Sequence, residues 1–308
     1  MKITRLFALL LAVLVSLSDR AVADTFGSGL NTFDIEFVDI GNPGNAADTT
    51  GSPNPAGSVA VAYRIGKYEI SEQMIDKANA LGLLGITKDT RGPDKPATSV
   101  SWFEAAKFIN WLNIDANSTP AYKFDGSGNF QLWAPSDPGY NPNNLYRNSQ
   151  AKYFLPSVDE WYKAAYFDPS GGVYYDYPTG SNTAPTAVAS GTAAGTAVYL
   201  QSFATGPADI MLAGGLSPYG TAGQGGNVYE WEETDADLLN DYSSSSARGV
   251  RGGNWGSFSS NLRAAFRLNV SPSIEFNLIG FRVASIPEPS TVLLGALAGV
   301  GVLQRRRR

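Results

Sequence analysis

The stretch RGGNWGSFSSNLRAAFR, Arg251–Arg267, decides how this chain is read. A glycine pair, a tryptophan and three arginines, Arg251, Arg263 and Arg267, crowd into one short segment. Its only nucleophiles are the serines Ser257, Ser259 and Ser260, and no base stands near them. The whole chain of 308 residues holds no cysteine and no histidine. That removes disulfides, thiolate nucleophiles, Cys/His zinc sites, Ser–His–Asp triads and histidine-held iron. Any remaining chemistry rests on Asp, Glu, Tyr, Lys, Arg or Ser. Any metal must accept oxygen ligands, which favours calcium or magnesium. With 43% hydrophobic and 12% aromatic residues, the length suffices for a buried core without covalent staples.

Working outward, both ends carry targeting signals. Residues 1–23 read as a secretory signal: Lys2 and Arg5 supply charge, Leu6 to Leu17 the apolar run, and Ala21-Val22-Ala23 the small-residue cleavage site. A buried first helix is the alternative. Residues 287–308 contain Pro287-Glu288-Pro289, an apolar run from Thr291 to Leu303 and four arginines. The run is short against the roughly 20 residues a spanning helix needs. The arginines would remain on the cytoplasmic side. This combination resembles the PEP-CTERM sorting signal of Gram-negative bacteria; a plain tail anchor is the alternative. The resemblance implies processing by an exosortase after transient anchoring in the inner membrane, then release or attachment at the outer surface. Removing both ends takes seven of the 23 basic residues and two of the 28 acidic ones, leaving a net charge near −10. Such a domain does not bind nucleic acid by charge.

Between the signals, residues 24–286 read as one α+β domain with much coil. The alternation in TFDIEFVDI predicts a half-buried strand to about Val38, and VAVAYRIGKYEIS a strand pair or one bent strand. Ser71 caps a helix to about Leu81. Ser101 with Glu104, and Ser157 with Glu160, are capping boxes, so those glutamates are structural. From Gly171 to Gly226 the chain is rich in Gly, Ala, Thr, Ser and Pro, and little regular structure is expected. Short strands and turns follow from Val228 to Ala284. Neither GSGNF nor GQGGN lies between a strand and a helix, which argues against dinucleotide binding.

In order along the chain stand YRIGKYEIS, PATSVSWFEAAKFINWL, YFLPSVDEWYKAAYF, GGNVYEWEET, RGVRGGNW and IGFRVA. Taken together they resemble the formylglycine-generating enzyme family, also called the sulfatase-modifying factor domain, over roughly Phe33 to Ala284. The resemblance implies a variant of the C-type lectin fold. It also implies calcium held near GNVYEW through Gly226, Val228 and Glu230, although Gly223 stands where an asparagine ligand is usual. Alternatively, Glu230 only ties its loop to an arginine. Catalytic relatives carry two copper-binding cysteines after the RGGSW-like motif; Ser257 and Leu262 occupy those places here, so copper and catalytic residues are not expected. Arg251, Arg263, Arg267 and Arg282 are read as pins for loops by forked hydrogen bonds.

The leading functional reading is therefore a noncatalytic exported domain that binds a ligand, such as an exopolysaccharide, at the cell surface. A carboxylate-based enzyme of the glycan-hydrolase type is the alternative, built from the run Glu230, Glu232, Glu233, Asp235 and Asp237. The plainer reading of that run is a solvated or calcium-binding loop. Formylglycine generation comes last.

Overall fold

In the computed structural model, which describes residues 22–241 and 243–287, two antiparallel strands open the fold, β1 (Val22–Phe26) and β2 (Phe33–Ile40). β2 realises the expected alternation: Phe33, Ile35, Phe37 and Ile40 are buried, while Asp34 faces solvent. β1 begins two residues before the expected cleavage point after Ala23. β2 pairs with β3 (Tyr63–Gly66), and no strand precedes β3 in VAVAYRIG, where Ala60 to Ala62 are exposed. The sheet continues through a strand from the far end of the chain to β4 (Tyr153–Phe154).

Three helices follow in the chain, each started by a serine. Ser71 Oγ accepts from Met74 N at the head of α1 (Glu72–Gly82), which stops at Leu83 in the left-handed region. At α2 (Trp102–Asp115) and α3 (Val158–Tyr166) the boxes are complete: Glu104 accepts from Ser101 N and Glu160 from Ser157 N. Each cap contributes about 1 kcal/mol. α2 buries Trp102, Ala105, Phe108, Ile109 and Leu112, the largest apolar contribution of any helix here.

The second sheet orders as β7 (Leu268–Val270), β6 (Arg248–Arg251), β5 (Tyr229–Asp235) and β8 (Ile279–Gly280). β5 runs antiparallel to β6 and parallel to β8, and its register slips between Trp231 and Asp235. Two indoles lock α2 to β5 reciprocally. Trp102 Nε1 donates to Glu232 O at 3.0 Å, and Trp231 Nε1 to Val100 O at 2.9 Å. After β8 the chain returns to the first sheet as β9 (Ala284–Ser285), between β3 and β4. Between Gly171 and Gly226 only two- and three-residue strands and one 3-10 turn interrupt the coil. The fold is α+β with much irregular structure, as expected.

Among the described residues no helix is long and apolar enough to cross a membrane. Residues 1–21 of the signal segment and the expected apolar tail helix lie outside the described residues.

Candidate functional site

The acidic run does not form a solvated loop. Glu230, Glu232, Glu233 and Asp235 all lie on β5 and are buried; only Asp237, beyond the strand, is exposed. The reason is a partner for each carboxylate. Glu230 meets Arg282. Glu232 is shared by Arg251, with Nε 2.6 Å from Oε1, and Arg267, with Nε 2.8 Å from Oε2. Glu233 accepts from Arg147 Nε at 2.7 Å, Tyr122 Oη at 2.8 Å and Asn144 Nδ2 at 2.6 Å. Asp235 accepts from Tyr146 Oη at 2.6 Å. Burying an unpaired carboxylate costs several kcal/mol, so this strand is buried only because the arginines arrive. The expected loop-pinning role holds for three arginines that reach main-chain oxygens: Arg251 to Phe266, Arg267 to Thr234 and Asp235, Arg282 to Ala222. Arg263 instead makes an exposed pair with Asp176.

Ser257 and Leu262 converge beside Gly253. A Cβ on Gly253, where φ is +80°, would stand 2.8 Å from Leu262 Cδ1 and 3.5 Å from Ser257 Cβ. Both side chains belong to the packing. Ser257 is buried, and its Oγ accepts from Asn254 N at 3.0 Å. Leu262 is fully buried against Tyr177, Ala197 and Tyr199. A hydroxyl already holding its own loop and a methyl group are not a donor set for Cu(I), which selects thiolates. The copper site does not fit these residues.

Of the residues expected to hold calcium, Glu230 meets a different cation. Glu230 Oε2 accepts from Arg282 Nε at 2.5 Å and from Trp161 Nε1 at 2.7 Å, and Oε1 accepts from Arg282 Nη2 at 2.6 Å. Arg282 also donates to the carbonyls of Gly66 and Ala222. Its guanidinium thus takes both carboxylate oxygens of Glu230, which as held here does not fit a calcium ion. Val228 packs its side chain with Val198, Ala208 and Trp255, and Gly226 N donates to Gly252 O at 2.8 Å. The missing asparagine at Gly223 has a counterpart: a Cβ there would lie 2.5 Å from Glu69 Oε1. Glu69 fills the space a side chain would take.

Glu69 is the group sequence reasoning missed. It is buried, its Oε1 accepts from Asn227 Nδ2 at 2.9 Å, and its Oε2 has no hydrogen-bond partner among the described residues. Burial, then the Glu230 charge, push its carboxyl up to about 7, against the pull of Arg282 and Asn227. The only sequence signal was an acid inside the apolar context YEIS.

The family profile of the sulfatase-modifying factor enzyme 1-like domain matches residues 41–286. The chain belongs to this family. The PEP-CTERM protein-sorting motif matches residues 285–308, which implies an exported sulfatase-modifying-factor-like protein whose sorting signal is processed by an exosortase. No curated protein matches the chain by sequence. Solved structures share the sulfatase-modifying-factor-like fold. Treponema denticola variable protein 1 is 21% identical with a TM-score of 0.62, over 87% of this chain and 100% of its own. CarF is 19% identical with a TM-score of 0.58, over 82% and 99%. PvdO from Pseudomonas aeruginosa is 18% identical with a TM-score of 0.53, over 86% and 98%. These likenesses establish the architecture alone.

Proposed function

We propose that this chain is a noncatalytic member of its family that binds a glycan at the outer surface of a Gram-negative cell. The observation that carries the reading is the fate of Ser257 and Leu262. Both stand where copper ligands are expected, and both are built into the packing around Gly253. The β5 carboxylates support it against a glycan hydrolase. A general acid must reach its substrate and exchange a proton, whereas Glu230, Glu232 and Glu233 are buried under guanidinium groups. The sorting motif supports an exported destination, and export with a strongly acidic surface suits a soluble binding domain.

Two measurements test this. The purified full chain, supplied with copper and a sulfatase-type cysteine peptide, should yield no formylglycine by mass spectrometry. Turnover above a protein-free blank removes the noncatalytic reading. On an array of bacterial and plant oligosaccharides the same protein should retain a defined subset; a blank array removes the glycan reading.

A further inference from the structure

We infer that the cleft at the start of α2 is a subsite for a neutral pyranose unit, an assignment that rests on the glycan reading above. The cleft has a volume of about 460 Å³ and is built where the first turns of α2, the Gly128–Asn129 turn, Ser244–Ser245 and Ser273–Glu275 converge. That size falls within the roughly 300–1,000 Å³ of small-ligand sites. None of its lining residues belongs to the Ser257 and Leu262 shell.

Two of its charged groups are free in the manner a sugar requires. Lys107 has no carboxylate or hydrogen-bond partner among the described residues; its Nζ lies 5.7 Å from the centre of the Phe124 ring. Glu275 is exposed, and its one hydrogen bond among the described residues is a long contact from Thr87 Oγ1 at 3.4 Å. Glu104, by contrast, is occupied by Ser101 and Thr87 and serves as a fixed wall. An ammonium and a carboxylate lining one cleft suit sugar hydroxyls, which accept from the one and donate to the other. The hydroxyls of Ser245 and Ser273, each paired with one neighbouring serine, Ser243 and Ser271, keep capacity for a further bond. Half-buried Phe103, backed by Trp102 and Phe130, gives the cleft an apolar surface for the C–H face of a ring.

Charge selects the class. Two carboxylates, Glu104 and Glu275, share the cleft with one ammonium, Lys107. A uronate or sulfated sugar would meet net repulsion, and a neutral hexose would not.

The test uses the purified full chain and trisaccharides of glucose, mannose and galactose, with a trimer of glucuronate as the charged control. At least one neutral trisaccharide should bind, and the glucuronate trimer should bind tenfold more weakly or not at all. Lys107→Met, at a half-buried position without a charged partner, and Glu275→Gln, at an exposed one, should each weaken binding tenfold or more with an unchanged melting temperature. Ser257→Ala should leave saccharide binding unaltered. Neutral-sugar binding that survives both cleft substitutions overturns the cleft and spares the glycan reading. Equal or tighter binding of the glucuronate trimer overturns the neutral class. Binding of no saccharide overturns both.

Discussion

Arg282 and Glu230 meet end to end in the interior, with Nε 2.5 Å from Oε2 and Nη2 2.6 Å from Oε1, and neither residue reaches solvent. Removing one partner of such a pair strands the other's charge, at a cost of about 3–5 kcal/mol. Glu230→Gln should therefore lower the melting temperature sharply. The loss should be the same in millimolar calcium and in chelator, because the carboxylate serves a guanidinium. A wild-type melting temperature that falls with chelator, with the response gone in Glu230→Gln, would restore Glu230 as a calcium ligand.

Glu69 makes stability depend on pH in the direction opposite to most carboxylates. Its folded carboxyl is raised to about 7 from an ordinary 4.5. Between those values the folded protein keeps a proton that the unfolded chain has released. Stability then falls as pH rises through that window and levels off above about 7. The full effect is on the order of 3 kcal/mol. Glu69→Gln, which cannot ionise, should melt at a higher temperature than wild type at pH 8 and near wild type at pH 4. Equal pH slopes in the two proteins would show that Arg282 keeps Glu69 ionised.

Ser257 and Leu262 should behave unequally. Leu262→Ala opens a cavity in a sealed cluster and should cost about 2–5 kcal/mol. Ser257→Ala loses one hydrogen bond to Asn254 N and should cost about 1–3 kcal/mol as a buried donor is left unpaired. Calorimetric unfolding of both variants checks the order. Reversal of that order would mean that Leu262 is less tightly packed than its burial indicates.

Processing is expected to leave a chain that begins near Asp24 and ends near Pro287. Asp24 is then an anchored terminus: Arg64 Nη2 donates to its Oδ2 at 2.7 Å, and Tyr153 Oη donates to the same oxygen at 2.6 Å. Intact-mass measurement on protein from the native host decides the ends. Recovery of the arginine run of residues 305–308 outside the cell would rule out the C-terminal cut.

What the sequence disclosed was whatever is local or periodic. Ser101 with Glu104 and Ser157 with Glu160 announce helices because a cap is settled within four residues. TFDIEFVDI announces its strand because one face of it is wet. β5 escaped that logic, since a strand buried on both faces does not alternate and its acids looked solvated. Their partners, Arg147, Arg251, Arg267 and Arg282, come from distant segments that no local pattern links to β5. The α2 cleft was invisible for the same reason, being assembled from four separate pieces of chain.

β9 is a two-residue strand, yet it lies inside the first sheet, bonded to β3 on one side and β4 on the other. Its partners are made far earlier in the chain, at Arg64–Ile65 and Tyr153–Phe154. The first sheet therefore cannot close until Ala284 and Ser285 have been made and brought back to it. Until then β4 has no strand to pair with in that sheet, which stays in two pieces. A short insertion between β8 and β9 would act on the sheet as a whole, far from where it was made.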